Sequence, residues 1–139
     1  MTPTLQLQAF EWRNEYETGL PEIDRQHRQM VRLINELNAA MQLGKGRDVL
    51  GSILDRLAAY TVTHFQTEEG LMTAANWTGF VDHQRKHRKL VSEVSNLQSS
   101  FKLGRVSITI ETMDFLKRWL HTHILEEDMT FTKSLTSPK

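Results

Sequence analysis

The chain has no cysteine. That absence excludes disulfides, thiolate zinc sites, iron–sulfur clusters and cysteine nucleophiles, and it fits a cytoplasmic location. Proline is almost as scarce. It occurs only at positions 3, 21 and 138, so nothing from 22 to 137 carries a helix-breaking ring. Net charge is missing too: 17 Lys and Arg balance 17 Asp and Glu, with no basic cluster interleaved with aromatics. The balance removes the electrostatic case for nucleic acid or an acidic membrane as partner. No apolar run approaches the roughly 20 residues that span a bilayer. The N-terminus lacks the basic-then-apolar order of a secretory signal. These absences predict a soluble, cytoplasmic protein with no membrane insertion.

What remains is an ordinary globular composition, 39% hydrophobic over 139 residues, enough for one core. Glycine-containing joints at 43–48 (LGKGRD), at 76–79 (NWTG) and at Gly104 divide the interior into four segments. The spacing predicts helices near 22–43, 48–74, 79–103 and 106–133, with Pro21 in a first turn and Gly104 just past a helix end. Each segment repeats apolar residues at alternating steps of three and four. The first runs Ile23, His27, Met30, Ile34, Leu37, Met41. The second runs Leu50, Leu54, Leu57, Thr61, His64, Glu68, Leu71. The third runs Phe80, His83, His87, Leu90, Val94, Leu97, Phe101. The fourth runs Val106, Thr109, Met113, Leu116, Leu120, His123. Such stripes are the buried seams of packed helices. The predicted fold is all-α: an antiparallel, up-down-up-down four-helix bundle over 21–135, with an N-terminal arm at 1–20 and a tail at 136–139.

Five of the six histidines, and Glu68, sit on these seams. One histidine on an apolar seam reads as a hydrogen-bonded core residue. Five with a carboxylate need a common partner, because buried polar groups must be satisfied and buried charges paired or bound to metal. His64 with Glu68, and His83 with His87, are four apart and share a helix face. His123 and Asp128 are five apart, about 140° past one full turn, so Asp128 must lean back or the helix must distort locally. Heights agree as well. His27 and the His83/His87 pair lie near helix starts, whereas His64/Glu68 and His123/Asp128 lie toward helix ends. In an up-down-up-down bundle all of these meet at one end. Seven donors exceed one tetrahedral zinc and suit two metals sharing carboxylates; with no thiolate, the choice is among iron, zinc and manganese.

The runs Ile23-Asp24-Arg25-Gln26-His27, His64-Phe65-Gln66-Thr67-Glu68-Glu69 and Trp119-Leu120-His121-Thr122-His123-Ile124, with Trp12, Tyr16, Gly19, Met72, His83, His87 and Asp128, resemble the hemerythrin family, specifically its single-domain bacterial members. The resemblance implies two non-haem iron ions. His83, His87 and His123 would bind one, and His27 and His64 the other. Glu68 and Asp128 would bridge them beside an oxo or hydroxo group, leaving one position open for dioxygen. Phe65, Leu120 and Ile124 match the family's apolar dioxygen pocket.

Other residues draw plainer readings. His121, about 200° around the helix from His123, faces outward. Glu69 is expected at a helix edge or in a surface ion pair, and Asp24 in a first turn favourable to the helix dipole. Trp119, four residues before His123, is expected to pack behind the ligands. Met30, Met41, Met72 and Met113 fill the core, and Arg85, Lys86, Arg88 and Lys89 form a solvated face. The expected function is non-enzymatic, reversible dioxygen binding for storage, delivery or scavenging, with any oxygen-consuming recipient unidentified. The alternatives are an oxygen or redox sensor acting through a separate partner, and a diiron enzyme of the peroxidase or nitric oxide reductase type.

Overall fold

The computed structural model describes residues 10–123 and 128–136. A 3-10 turn at Asn14–Tyr16 is followed by α1 (Pro21–Gln42), α2 (Arg47–Ala74), α3 (Phe80–Lys102), α4 (Ile110–Thr122) and α5 (Met129–Thr136).

The first three helices stop by one chemistry. After α1, Gly44 N–H donates to the Met41 carbonyl at 3.1 Å and Lys45 N–H to that of Ala40 at 3.0 Å. The pair satisfies two last-turn carbonyls and requires a left-handed residue, supplied by Gly44 at φ 70°. Gly104, at φ 75°, repeats the arrangement after α3, where Gly104 N–H and Arg105 N–H reach Phe101 and Ser100. Asn76, at φ 52°, does so after α2; among residues with a Cβ, asparagine bears this region best. The chain therefore reverses sharply. α1 packs on α2 and α4, and α2 packs on α3, as an antiparallel helical bundle.

The seams predicted from spacing line the interior. Ile23, Met30, Ile34, Leu37, Leu54, Leu57, Met113, Leu116 and Leu120 are fully enclosed. Two seam ends differ. Leu71 is 37% exposed, and Met72 takes the inward place at 0%. A strict heptad stripe drifts around a 3.6-residue helix by about 20° per repeat, so a long seam hands over to a neighbour. Helix four also starts later than 106. Thr109 Oγ1 accepts the Thr112 N–H at 3.3 Å as an N-cap, and Thr112 Oγ1 donates to the Ser107 carbonyl at 3.1 Å. The hydroxyls bind the backbone locally and hold 106–109 out of the helix. Val106 and Thr109 are exposed, and Ile108 is buried instead.

The fourth predicted helix is also not one uniform α-helix. His123 and Asp128 both have π-helical backbone, with α5 continuing beyond them; Ile124 lies outside the described residues. The arm is latched to α1. Thr18 donates its N–H and its hydroxyl to Asp24 Oδ1 at 2.8 and 2.7 Å. Phe10 and Asn35 exchange two hydrogen bonds at 2.7 and 3.0 Å. No helix among the described residues is long and apolar enough to cross a membrane.

Candidate metal centre

His27 comes from α1, His64 and Glu68 from α2, His83 and His87 from α3, His123 from the π-helical residue that follows α4 and Asp128 from the one that precedes α5. All seven are at most 3% exposed and meet at one end of the bundle. A π-helical turn hydrogen-bonds five residues along. It thereby brings an i,i+5 pair to one side, and His123 Nε2 and Asp128 Oδ2 stand 2.7 Å apart. Asp128 Oδ2 also lies 2.6 Å from His27 Nε2, and Oδ1 lies 3.2 Å from His83 Nε2. Glu68 Oε1 is 3.0 Å from His87 Nε2, and Oε2 is 3.3 Å from His64 Nε2.

The donor atoms form two compact sets, each spanning less than 4.8 Å. One contains His27, His64, Glu68, His123 and Asp128; the other contains Glu68, His83, His87 and Asp128. Both carboxylates belong to both sets. His123 lies here with His27 and His64, its Nε2 3.1 Å from that of His64, whereas the family resemblance assigns it to the ion of His83 and His87.

Two of the imidazoles have their protons placed by neighbours. Gln26 Nε2 donates to Glu22 Oε2 at 2.9 Å and to Thr67 Oγ1 at 3.1 Å, so its carbonyl oxygen is the atom that faces His64 Nδ1 at 2.8 Å. His64 must donate there, which leaves Nε2 bare. Glu69 Oε2 accepts from His87 Nδ1 at 2.8 Å and Glu69 Oε1 accepts from Gln84 Nε2 at 2.9 Å, so His87 Nε2 is bare as well. That nitrogen is buried without a hydrogen bond and faces a carboxylate oxygen. Two lone pairs aimed at each other across 3.0 Å are stabilised by a cation between them. Imidazole and carboxylate donors with no thiolate suit iron, so the residues present fit a metal-binding assignment.

Burial drives the electrostatics. It pulls His64 down to about 3 and His87 to about 4, and lowers His27. All three are neutral at physiological pH, the form that binds metal. Burial alone would raise Asp128, but His123 beside it, with hydrogen bonds from His123 and His27, outweighs burial and holds the carboxyl well below its ordinary value.

Aromatic rings wall the centre. Phe65 stacks flat on His87, with centroids 3.9 Å apart and planes 7° apart. Trp77 meets His83 edge-on at 5.5 Å. Gly79 is required beside it, since a Cβ there would lie 2.6 Å from the indole. Leu120 is fully buried, and Trp119 donates its indole N–H to the Leu90 carbonyl at 3.1 Å, bracing α4 against α3. His121 faces outward, edge-on to Tyr16. The sequence reading missed the orienting partners Gln26 and Glu69 and the wall residue Trp77. Glu69 was legible only as an acid beside a seam position. Gln26, one residue before His27, carries no periodic mark.

The "Hemerythrin HHE cation binding domain" family model matches residues 18–134. A bacteriohemerythrin of Stenotrophomonas maltophilia is 32% identical over 120 residues, covering 86% of this chain and 77% of that protein. One of Methylococcus capsulatus is 31% identical over 123 residues, covering 88% and 93%. A crystal structure of wild-type hemerythrin superposes with a TM-score of 0.83 at 30% identity, covering 94% of this chain and all of that one. A match over so much of the chain, with the same fold and a buried histidine–carboxylate cluster in it, makes this protein a member of the hemerythrin family.

Proposed function

We propose that the chain binds dioxygen reversibly at two non-haem iron ions held by His27, His64, Glu68, His83, His87, His123 and Asp128, for storage, delivery or scavenging. The observation that carries the reading is the pair of donor sets sharing Glu68 and Asp128. Each carboxylate has two oxygens, so each can bridge two cations and offset their repulsion. The irons, when bound, supply the electrons for reversible dioxygen binding. The chain does the rest. Enclosure keeps His27, His64 and His87 neutral, Gln26 and Glu69 hold two rings with Nε2 inward, and Phe65 and Leu120 form an apolar wall to which the family resemblance adds Ile124. A dry wall denies protons and water to the centre, which favours release of dioxygen unchanged over its reduction.

The test is an anaerobic titration. The reduced protein should contain two irons per chain, change its spectrum on adding dioxygen, and return to the starting spectrum when dioxygen is withdrawn. One zinc per chain, or one-way oxidation with product release, overturns the reading.

Leu120→Ala probes the wall. Leu120 is fully buried, so truncation should cost about 2–5 kcal/mol of stability. It should also hasten loss of the oxygenated state, followed spectrally, by admitting water. An unchanged decay rate in a folded variant would remove the dry-wall argument.

A further inference from the structure

The two donor sets are backed by different chemistry. Behind His87 stands an acid: Glu69 Oε2 takes the Nδ1 proton at 2.8 Å, and Gln84 holds the other oxygen. Behind His64 stands a neutral amide, Gln26 Oε1, at the same 2.8 Å. His27, in the same set as His64, has no hydrogen-bond partner at Nδ1 among the described residues. Among the described residues, a carboxylate is therefore hydrogen-bonded to the back of His87 and an amide to the back of His64, while the Asp24 carboxylate reaches His27 only through space.

The Glu69 side chain is 24% exposed and lines a groove between α2 and α3 with Val62, Phe65 and Val91. A carboxylate accepting from an imidazole N–H draws the proton toward itself and makes the opposite nitrogen a stronger donor; an amide carbonyl does so far less. The ring cannot swing away from this partner, because Phe65 lies flat on its face.

We propose that Glu69 is a positioning residue that acts on one metal position: through His87 it tightens binding of the ion held there and makes that ion more readily oxidised. The inference rests on the diiron reading above. It adds a residue outside both donor sets that tunes one position of the pair and leaves the other to its own partners.

The test uses two charge swaps on the full chain. Glu69→Gln keeps an oxygen for His87 Nδ1 and removes the charge. Gln26→Glu, combined with Glu22→Gln so that the new acid meets a donor and not a second carboxylate, places a charge behind His64. Two quantities are measured: the affinity of the metal-free protein for cobalt(II) by chelator competition, and the midpoint potential of the iron-loaded protein. Wild type should bind cobalt in two distinguishable steps. Glu69→Gln should weaken one step by about 10- to 100-fold, leave the other in place and raise the potential. The Gln26 swap should tighten the other step and lower the potential. Opposite signs are the mark of a charge effect, since mere loss of packing would weaken binding in both variants. Unchanged affinities and potential in Glu69→Gln, or shifts of the same sign in both variants, overturn the proposal. A wild-type chain that holds no metal pair defeats the diiron reading itself, and the two failures are thus distinguishable.

Discussion

Glu68→Ala is expected to empty the centre of both irons, whereas His27→Ala empties one position and leaves the other filled. Glu68 belongs to both donor sets, with Oε1 3.0 Å from His87 Nε2 and Oε2 3.3 Å from His64 Nε2. Removing it takes one ligand from each ion and the negative charge that offsets their repulsion. His27 belongs to one set only. Loss of one ligand lowers affinity at its own site, and loss of a shared carboxylate lowers it at both. Iron content per chain by elemental analysis should fall from two to near none in Glu68→Ala and to about one in His27→Ala, in line with the donor sets. Helical circular dichroism establishes that each variant is folded, and Glu68→Gln provides a version with unchanged volume. Two retained irons in a folded Glu68→Ala would show that the shared carboxylate is no bridge and would dismantle the paired-metal arrangement.

How much of this could be read from the chain alone follows from what each feature depends on. The bundle was legible because steps of three and four recur from Ile23 to Leu120 with no proline between, and a seam of that length has no other stable use. The meeting of the seven histidine and carboxylate side chains at one end was legible because helix order and antiparallel packing dictate height. The five-residue gap between His123 and Asp128 left two options open, a side chain leaning back or a distorted helix, and the π-helical backbone at those two residues is the second. What stayed hidden was set by side-chain reach. Asp24 reads as a first-turn acid, yet it holds the arm through Thr18. Glu69 reads as a helix-edge acid, yet it orients a buried ring. A carboxylate spans several ångströms, and spacing along a helix says which way it leaves the backbone, not which donor it finds. The late start of α4 is a similar case, since a Thr109 cap and a Thr112–Ser107 bond outcompete a continuing apolar pattern.

Acid should destabilise the metal-free protein well above the pH at which carboxylates titrate. In the unfolded chain His64 and His87 take up protons near pH 6.5; in the folded chain burial delays this to about 3 and about 4. Between those limits the unfolded state binds protons that the folded state refuses, so stability falls as pH falls. Each group contributes about 1.4 kcal/mol per pH unit once below its unfolded value. At pH 5 the two together amount to a loss on the order of 4 kcal/mol relative to pH 7.5, and His27, lowered by the same cause, adds to it. Asp128 joins below its ordinary range, with the same sign, because its folded carboxyl also resists protonation. Bound metal steepens the dependence, since protons compete with the ion for the same nitrogens and metal-derived stability disappears with it. Denaturant melts of the metal-free chain at pH 7.5, 6 and 5 measure the first effect, and parallel melts of the loaded protein measure the second. Equal stability at pH 7.5 and 5 without metal would mean that the imidazoles are charged or solvated in the folded state, and a centre of that kind could not hold its nitrogens ready for an ion.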